Sequence, residues 1–224
     1  MTPTHTVRCV KSLPAADAAW DDAAWSAAEP LEVSLFHPES SAHRPVTRAR
    51  MLHDGKALAG IFHVSDRYVL CRQTGYQAMV CKDSCVEFFV RPKADKGYMN
   101  FEMNCCGHLR TEYIEDPVRV DGGFKKSMLV AEKFGKMVRV HASMSGPVET
   151  EITDPVVWTV GFHIPFGVFE AHMGALGDVH GQVWRANFYK CADDSSHPHW
   201  ASWSPVGEQL NFHQPDRFGL LVME

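Results

Sequence analysis

The sequence has no apolar run approaching the ~20 residues that a bilayer-spanning helix needs, which argues against a membrane partner. Its opening residues, MTPTHTVRCVKSLPAAD, lack the apolar centre of a secretory leader and carry no export address. No lysine or arginine run stands out. With 22 basic against 27 acidic side chains and a formal net charge of -5, the footprint that neutralises nucleic-acid phosphates is missing. Seven cysteines (Cys9, Cys71, Cys81, Cys85, Cys105, Cys106, Cys191) make an odd count without a CxxC pair. That argues against a zinc ribbon and a complete disulfide framework, and predicts reduced, mostly buried thiols of the kind found in the cytoplasm. Pro/Ser-rich linkers, low-complexity tracts and internal repeats are absent too, so residues 1–224 are expected to form one domain without an obligate protein partner.

Helical periodicity is scarce. Short runs rich in Val, Phe, Thr and Tyr, bounded by Gly, Pro, Asp and Ser, dominate from Leu31 onward. LEVSLF, VTRARMLH, ALAGIFHVS, SCVEFFVR, YMNFEMN, HLRTEYI, MVRVHAS, VVWTVGFHI, QVWRANFYK and FGLLVM read as strands. Short helices are expected at AADAAWDDAAW and after Pro165 in PFGVFEAHMG. Closely spaced strands that never alternate with long helices predict an all-β fold: a single antiparallel β-sandwich of about ten strands with one or two short helices.

Successive strand residues point to opposite faces. In YMNFEMN, Met99, Phe101 and Met103 face the core and leave Asn100, Glu102 and Asn104 on the other side. The same alternation turns Glu87 outward from SCVEFFVR, His163 from WTVGFHI, and Arg185, Asn187 and Tyr189 from QVWRANFYK. A face combining amides, carboxylates and a guanidinium both donates and accepts hydrogen bonds, as each hydroxyl of a sugar requires. An ordinary solvated sheet face is the plain alternative, but lysine and threonine are scarce here. Trp200 and Trp203 follow in HPHWASWSP, a loop-like segment, and could stack on the apolar face of a sugar ring.

Two other chemistries fit parts of the pattern. A glycoside hydrolase needs two carboxyl groups separated by about 5 Å or about 6.5–9.5 Å, and Glu87 and Glu102 could supply them. A metal or haem site is invited by thirteen histidines, although neither His197/His199 nor His172/His180 has a recognised ligand spacing. Asp66 and Asp83, at turn-like strand ends, are candidate calcium ligands, with turn formation as their simpler role.

HRPVTRARMLHDGKALAGIFHVSDRYV, KDSCVEFFVRP, YMNFEMNCCG, WTVGFHIPF, WRANFYKC, ASWSPV and NFHQPDRFGLLVME, with the earlier WDDAAW, resemble the family 9 carbohydrate-binding modules, in order and over nearly the whole chain. The resemblance implies a β-sandwich that binds a mono- or oligosaccharide without catalysis, through aromatic stacking and a polar network, with structural calcium in some members. It also implies relatives that sit in secreted enzymes, which leaves the location of this chain open.

Overall fold

The computed structural model describes residues 2–224. Its strands are β1 (Thr4–Cys9), β2 (Leu31–Glu32), β3 (Leu35–Phe36), β4 (Val46–His53), β5 (Ala57–Asp66), β6 (Val69–Cys71), β7 (Cys85–Arg91) and β8 (Tyr98–Asn104). They continue with β9 (Leu109–Val120), β10 (Gly123–Leu129), β11 (Arg139–Ala142), β12 (Val148–Ile152), β13 (Val156–Pro165), β14 (Val183–Cys191), β15 (Trp200–Ser202) and β16 (Gly219–Met223). Two helices, α1 (Glu132–Gly135) and α2 (Phe166–Met173), complete the elements that matter below.

Strand pairing runs β10-β9-β8-β7-β14-β16-β1-β4-β5-β13-β11. β1 is the hinge of this path. Thr4–Val7 pairs with β16, and Arg8–Cys9 passes over to β4, both in parallel. The sheet thereby doubles back as two layers with apolar faces inward. Phe88 of β7 stacks on Phe162 of β13 with centroids 5.9 Å apart, and Phe188 of β14 meets Phe62 of β5 at 6.0 Å. The residues that alternation assigns inward, among them Met99, Phe101, Met103, Trp158, Val160, Trp184 and Ala186, all lie in this main core.

The β-sandwich reading therefore holds in outline and needs two corrections. The sheet is mixed, because of β1, and it has 14 strands instead of about ten. β1 and β10 carry the physical reason. Thr4–Cys9 buries only Val7, and Gly123–Leu129 is exposed nearly throughout, so neither strand has an apolar face for periodicity to reveal. The expected helix after Pro165 forms as α2. The alanine-rich segment before Leu31 contracts to one 3₁₀ turn, Ala23–Trp25, capped by the Asp22 carboxylate.

Side chains of the two strands that flank β5 close over Gly60, where a Cβ atom would overlap the Phe162 ring on β13 and the Met51 sulfur on β4, its register partners. Gly60→Ala is expected to lower unfolding stability by roughly 1–3 kcal/mol through overpacking, read as an earlier midpoint in chemical denaturation with an unchanged slope.

Candidate ligand-binding site

The site lies on the outward face of β8, β7 and β14, which are neighbours in that order. Register, not sequence distance, assembles it. Glu87 is paired directly with Glu102 on one side and Tyr189 on the other, while Phe89 sits between Asn100 and Asn187. This face is not solvated. The segment after β15 folds back across it, and Val206, Phe212 and Phe218 pack on Phe89, Tyr98, Ile114 and Tyr189 as a second apolar cluster.

Two polar residues anchor that covering segment. Asn187 is fully buried and accepts from the Ser204 N–H at 2.8 Å while donating to the Ser204 carbonyl at 2.9 Å. Tyr189 donates its hydroxyl to the Phe212 carbonyl at 2.9 Å and stacks on the Phe212 ring at 4.0 Å. Where the cover stops, a cleft of about 320 Å³ remains, lined by Glu87, Glu102, Cys81, Cys191, Asp193, Arg119, Trp200 and the stretch Leu210–His213. Its size is at the lower end of small-molecule sites, about 300–1,000 Å³.

The floor is a pair of buried carboxyl groups. Glu102 accepts from the Asn100 amide at 2.7 Å, and Asn100 is held in turn by the Glu112 N–H at 2.6 Å. Burial, only partly offset by nearby Arg110 and the Asn100 hydrogen bond, pushes Glu102 up to about 7. Burial and the facing Glu102 charge raise Glu87 well above the usual carboxylate range. Two carboxylates in register in a low-dielectric setting resist ionising together, so the pair retains a proton near neutral pH. The Cys191 thiol donates to Glu87 at 3.2 Å.

Aromatic and cationic groups form the walls. Trp200 is half-buried and donates its indole N–H to Asp193 at 2.8 Å, which sets the ring at the rim. The β9–β10 hairpin brings Arg119 to the same cleft, over Phe124 at 3.9 Å, with Phe124 against His213 at 4.5 Å. The turn of that hairpin is Asp121-Gly122, both with positive φ, as a two-residue connection favours. Burial and the nearby arginines lower His213 to about 3, so it is neutral around pH 7.

Of the ten residues expected to bind ligand, Glu87, Glu102 and Trp200 line the cleft. Asn100 and Tyr189 stand directly behind it as braces. Asn104 is spent on internal bonds: it donates to the Gln73 carbonyl and the Asp83 carboxylate, and accepts from the Cys106 and His108 N–H groups. Arg185 is exposed and turns toward the Phe218 carbonyl at 3.4 Å. His163 is a correction, since β13 belongs to the opposite layer and its imidazole meets the Pro14 carbonyl at 2.6 Å. Trp203 is another. It packs edge-on against Phe188 at 5.7 Å and fills the space above Gly219, so it is a half-buried flank of the core.

Asp66 and Asp83, the calcium candidates, are both engaged within the chain. Asp66 accepts from His43, the Arg67 N–H and the Trp158 indole, and lies 3.4 Å from the Lys190 ammonium. Lysine already supplies the cation there. Asp83 accepts from the Arg72 N–H on one oxygen and from the Gln73 N–H and the Asn104 amide on the other, so both oxygens are engaged within the chain. The cleft residues absent from the expectation are Cys81, Cys191, Asp193, Arg119 and the stretch Leu210–His213. Cys191 was legible, since it follows Tyr189 by two positions on the same face. The others reside in loops, in a hairpin arm or, for Cys81, in the 3₁₀ turn Val80–Lys82, where alternation has no hold.

The profile described as Carbohydrate-binding family 9 matches residues 22–223. The chain belongs to this family. Among solved structures, a candidate carbohydrate-binding protein from Bacteroides uniformis is 28% identical with a TM-score of 0.86, each chain covered in full. A family 9 module from Caldicellulosiruptor kristjanssonii in complex with glucose superposes at a TM-score of 0.64 and 12% identity, over 99% of this chain and 96% of that one. The complex of such a module from that organism with cellotriose gives 0.63 and 13%, over 99% and 94%. At that identity the family 9 likeness to the two complexes is one of fold. No curated protein matches the sequence.

Proposed function

We propose that this family 9 domain is a non-catalytic carbohydrate-binding module that seats one end of a mono- or oligosaccharide in the cleft over β7, β8 and β14. The observation that carries the reading is the buried Glu87/Glu102 pair set beneath an aromatic rim. A carboxyl pair sharing a proton offers both acceptor and donor to sugar hydroxyls, and the Trp200 ring offers an apolar face for the C–H side of the sugar. Arg119 and Asn211 add donors from the walls. Solved family 9 modules in complex with glucose and cellotriose support the choice of ligand class.

Hydrolysis fits this geometry less well. A glycosidase flanks the scissile bond with its two carboxyl groups, whereas Glu87 and Glu102 stand side by side on one floor and approach a ligand from the same direction.

Calorimetric titration with glucose, cellobiose and cellotriose tests the reading. Binding is expected for wild type, at least about tenfold weaker binding for Trp200→Ala, equivalent to ~1.4 kcal/mol, and no release of reducing sugar. Trp203→Ala serves as the contrast: loss of core packing is expected to lower its melting temperature while the folded fraction keeps its affinity. Equal sugar affinities in wild type and Trp200→Ala would remove the aromatic rim from the site.

A further inference from the structure

A second group of side chains lies away from the cleft, where β6 and β8 end. The sulfur atoms of Cys71, Cys105 and Cys106 all lie within 4.8 Å of one another, and all three are free thiols. Backbone ties hold them in place. Ser84 donates its N–H to Leu70 and accepts the Leu70 N–H on its hydroxyl, fixing the strand that ends in Cys71. The Ser84 carbonyl accepts from the Cys105 N–H at 2.8 Å. Asn104 then caps the following turn by accepting from the Cys106 and His108 N–H groups, and Gly107 leaves it with φ +84°. Cys71 and Cys105 are fully buried in the main apolar core, and Cys106 is half-exposed, which gives a way in from solvent.

The donor set is all sulfur. Imidazole and carboxylate are absent from this group, so it favours soft ions over those that prefer nitrogen or oxygen. Charge narrows the choice further. Three thiolates carry three negative charges, and a buried apolar site disfavours any net charge left over. A monovalent ion leaves two, a divalent ion one, and a trivalent ion none.

We propose that Cys71, Cys105 and Cys106 form a three-thiolate site for a trivalent thiophilic metalloid ion of the arsenite class. Arsenous acid exchanges its three hydroxyl groups for the three sulfurs: three As–O bonds break, three As–S bonds form, and each thiol proton leaves with a hydroxide as water. Arsenic stays trivalent, so no oxidant or reductant takes part. The other close group, Cys85, Glu87 and Cys191, contains a carboxylate and belongs to the sugar cleft, which makes it the internal control.

The test is anaerobic titration of the reduced full-length chain with sodium arsenite, followed by native mass spectrometry and ultraviolet absorption of the As–S bonds. One arsenic per chain with loss of three protons is expected. Removing a group that merely supports a metal ligand costs about 10–100-fold in affinity, so Cys106→Ser, which removes a ligand at a half-exposed position, is expected to weaken uptake by at least ~100-fold. Cys191→Ser should leave uptake unchanged. Absence of uptake, uptake insensitive to Cys106→Ser, or loss of uptake in Cys191→Ser each overturns the proposal. Tighter binding of zinc than of arsenite at the same cysteines overturns its trivalent character. Sugar titration of the same samples reports separately on the cleft.

Discussion

Asp66→Ala is expected to cost about 3–5 kcal/mol of unfolding stability, the usual range when one partner of a buried ion pair is removed. Lys190 has no exposed surface, and its ammonium is held by Asp66 at 3.4 Å, the Cys191 carbonyl at 3.0 Å and His199 at 2.7 Å. His199 Nδ1 faces the His197 carbonyl at 2.8 Å, which leaves Nε2 to accept from Lys190. Burial and the adjacent ammonium lower His199 to about 3, so it stays neutral and adds no second charge at pH 7. Burial alone would raise the Asp66 carboxyl, but Lys190 and His43 outweigh it and hold the group well below its usual range. Without Asp66, the ammonium is a buried charge lacking its counter-ion. Lys190→Met in the Asp66→Ala background is expected to recover part of the loss, since the orphaned charge then disappears. Urea denaturation of the four proteins of this double-mutant cycle measures the coupling; additive losses would show that the two groups act independently.

This network also marks how far sequence reading reaches. Strand period told which side of YMNFEMN and QVWRANFYK faces the core, because that side is apolar without interruption. It likewise placed Glu87, Glu102 and Tyr189 on a common face, which pairing then makes adjacent. Period two cannot say which layer a strand joins, and His163 fell on the wrong one for that reason. Nor can it separate an outward residue that meets ligand from one that anchors a covering loop. Asn187 and Tyr189 look like ligand contacts in the sequence, but they hold Ser204 and Phe212. Asp66 resembles a calcium ligand until Lys190, 124 positions away, is seen beside it. Such partnerships are set by tertiary approach and leave no local signal.

The carboxyl pair in the cleft has a consequence for pH that separates its two chemical roles. Glu102 has its folded-state value raised from 4.5 to about 7. Its contribution to stability is therefore fully present below pH 4.5 and is lost as pH rises through about 7. Glu102→Gln is therefore expected to gain stability relative to wild type as pH rises from about 4 to about 8, the direction set by the raised carboxyl. His199 and His213, both lowered to about 3, work in the other direction. Their stabilisation is present above pH 6.5 and fades as pH falls toward 3, in wild type and variant alike, so the difference between the two proteins isolates the carboxyl pair. Denaturation curves at the two pH values make the measurement. Sugar binding should follow the same proton. With one hydrogen shared by Glu87 and Glu102, the floor donates to a hydroxyl; once that hydrogen leaves, two acceptors face the ligand and the donor is gone. Affinity is therefore expected to fall in wild type as rising pH removes that hydrogen, and to vary less in Glu102→Gln, whose amide keeps a donor at every pH. Affinity that increases above pH 7 would mean that the pair acts only as an acceptor, with the donors supplied by Arg119 and Asn211.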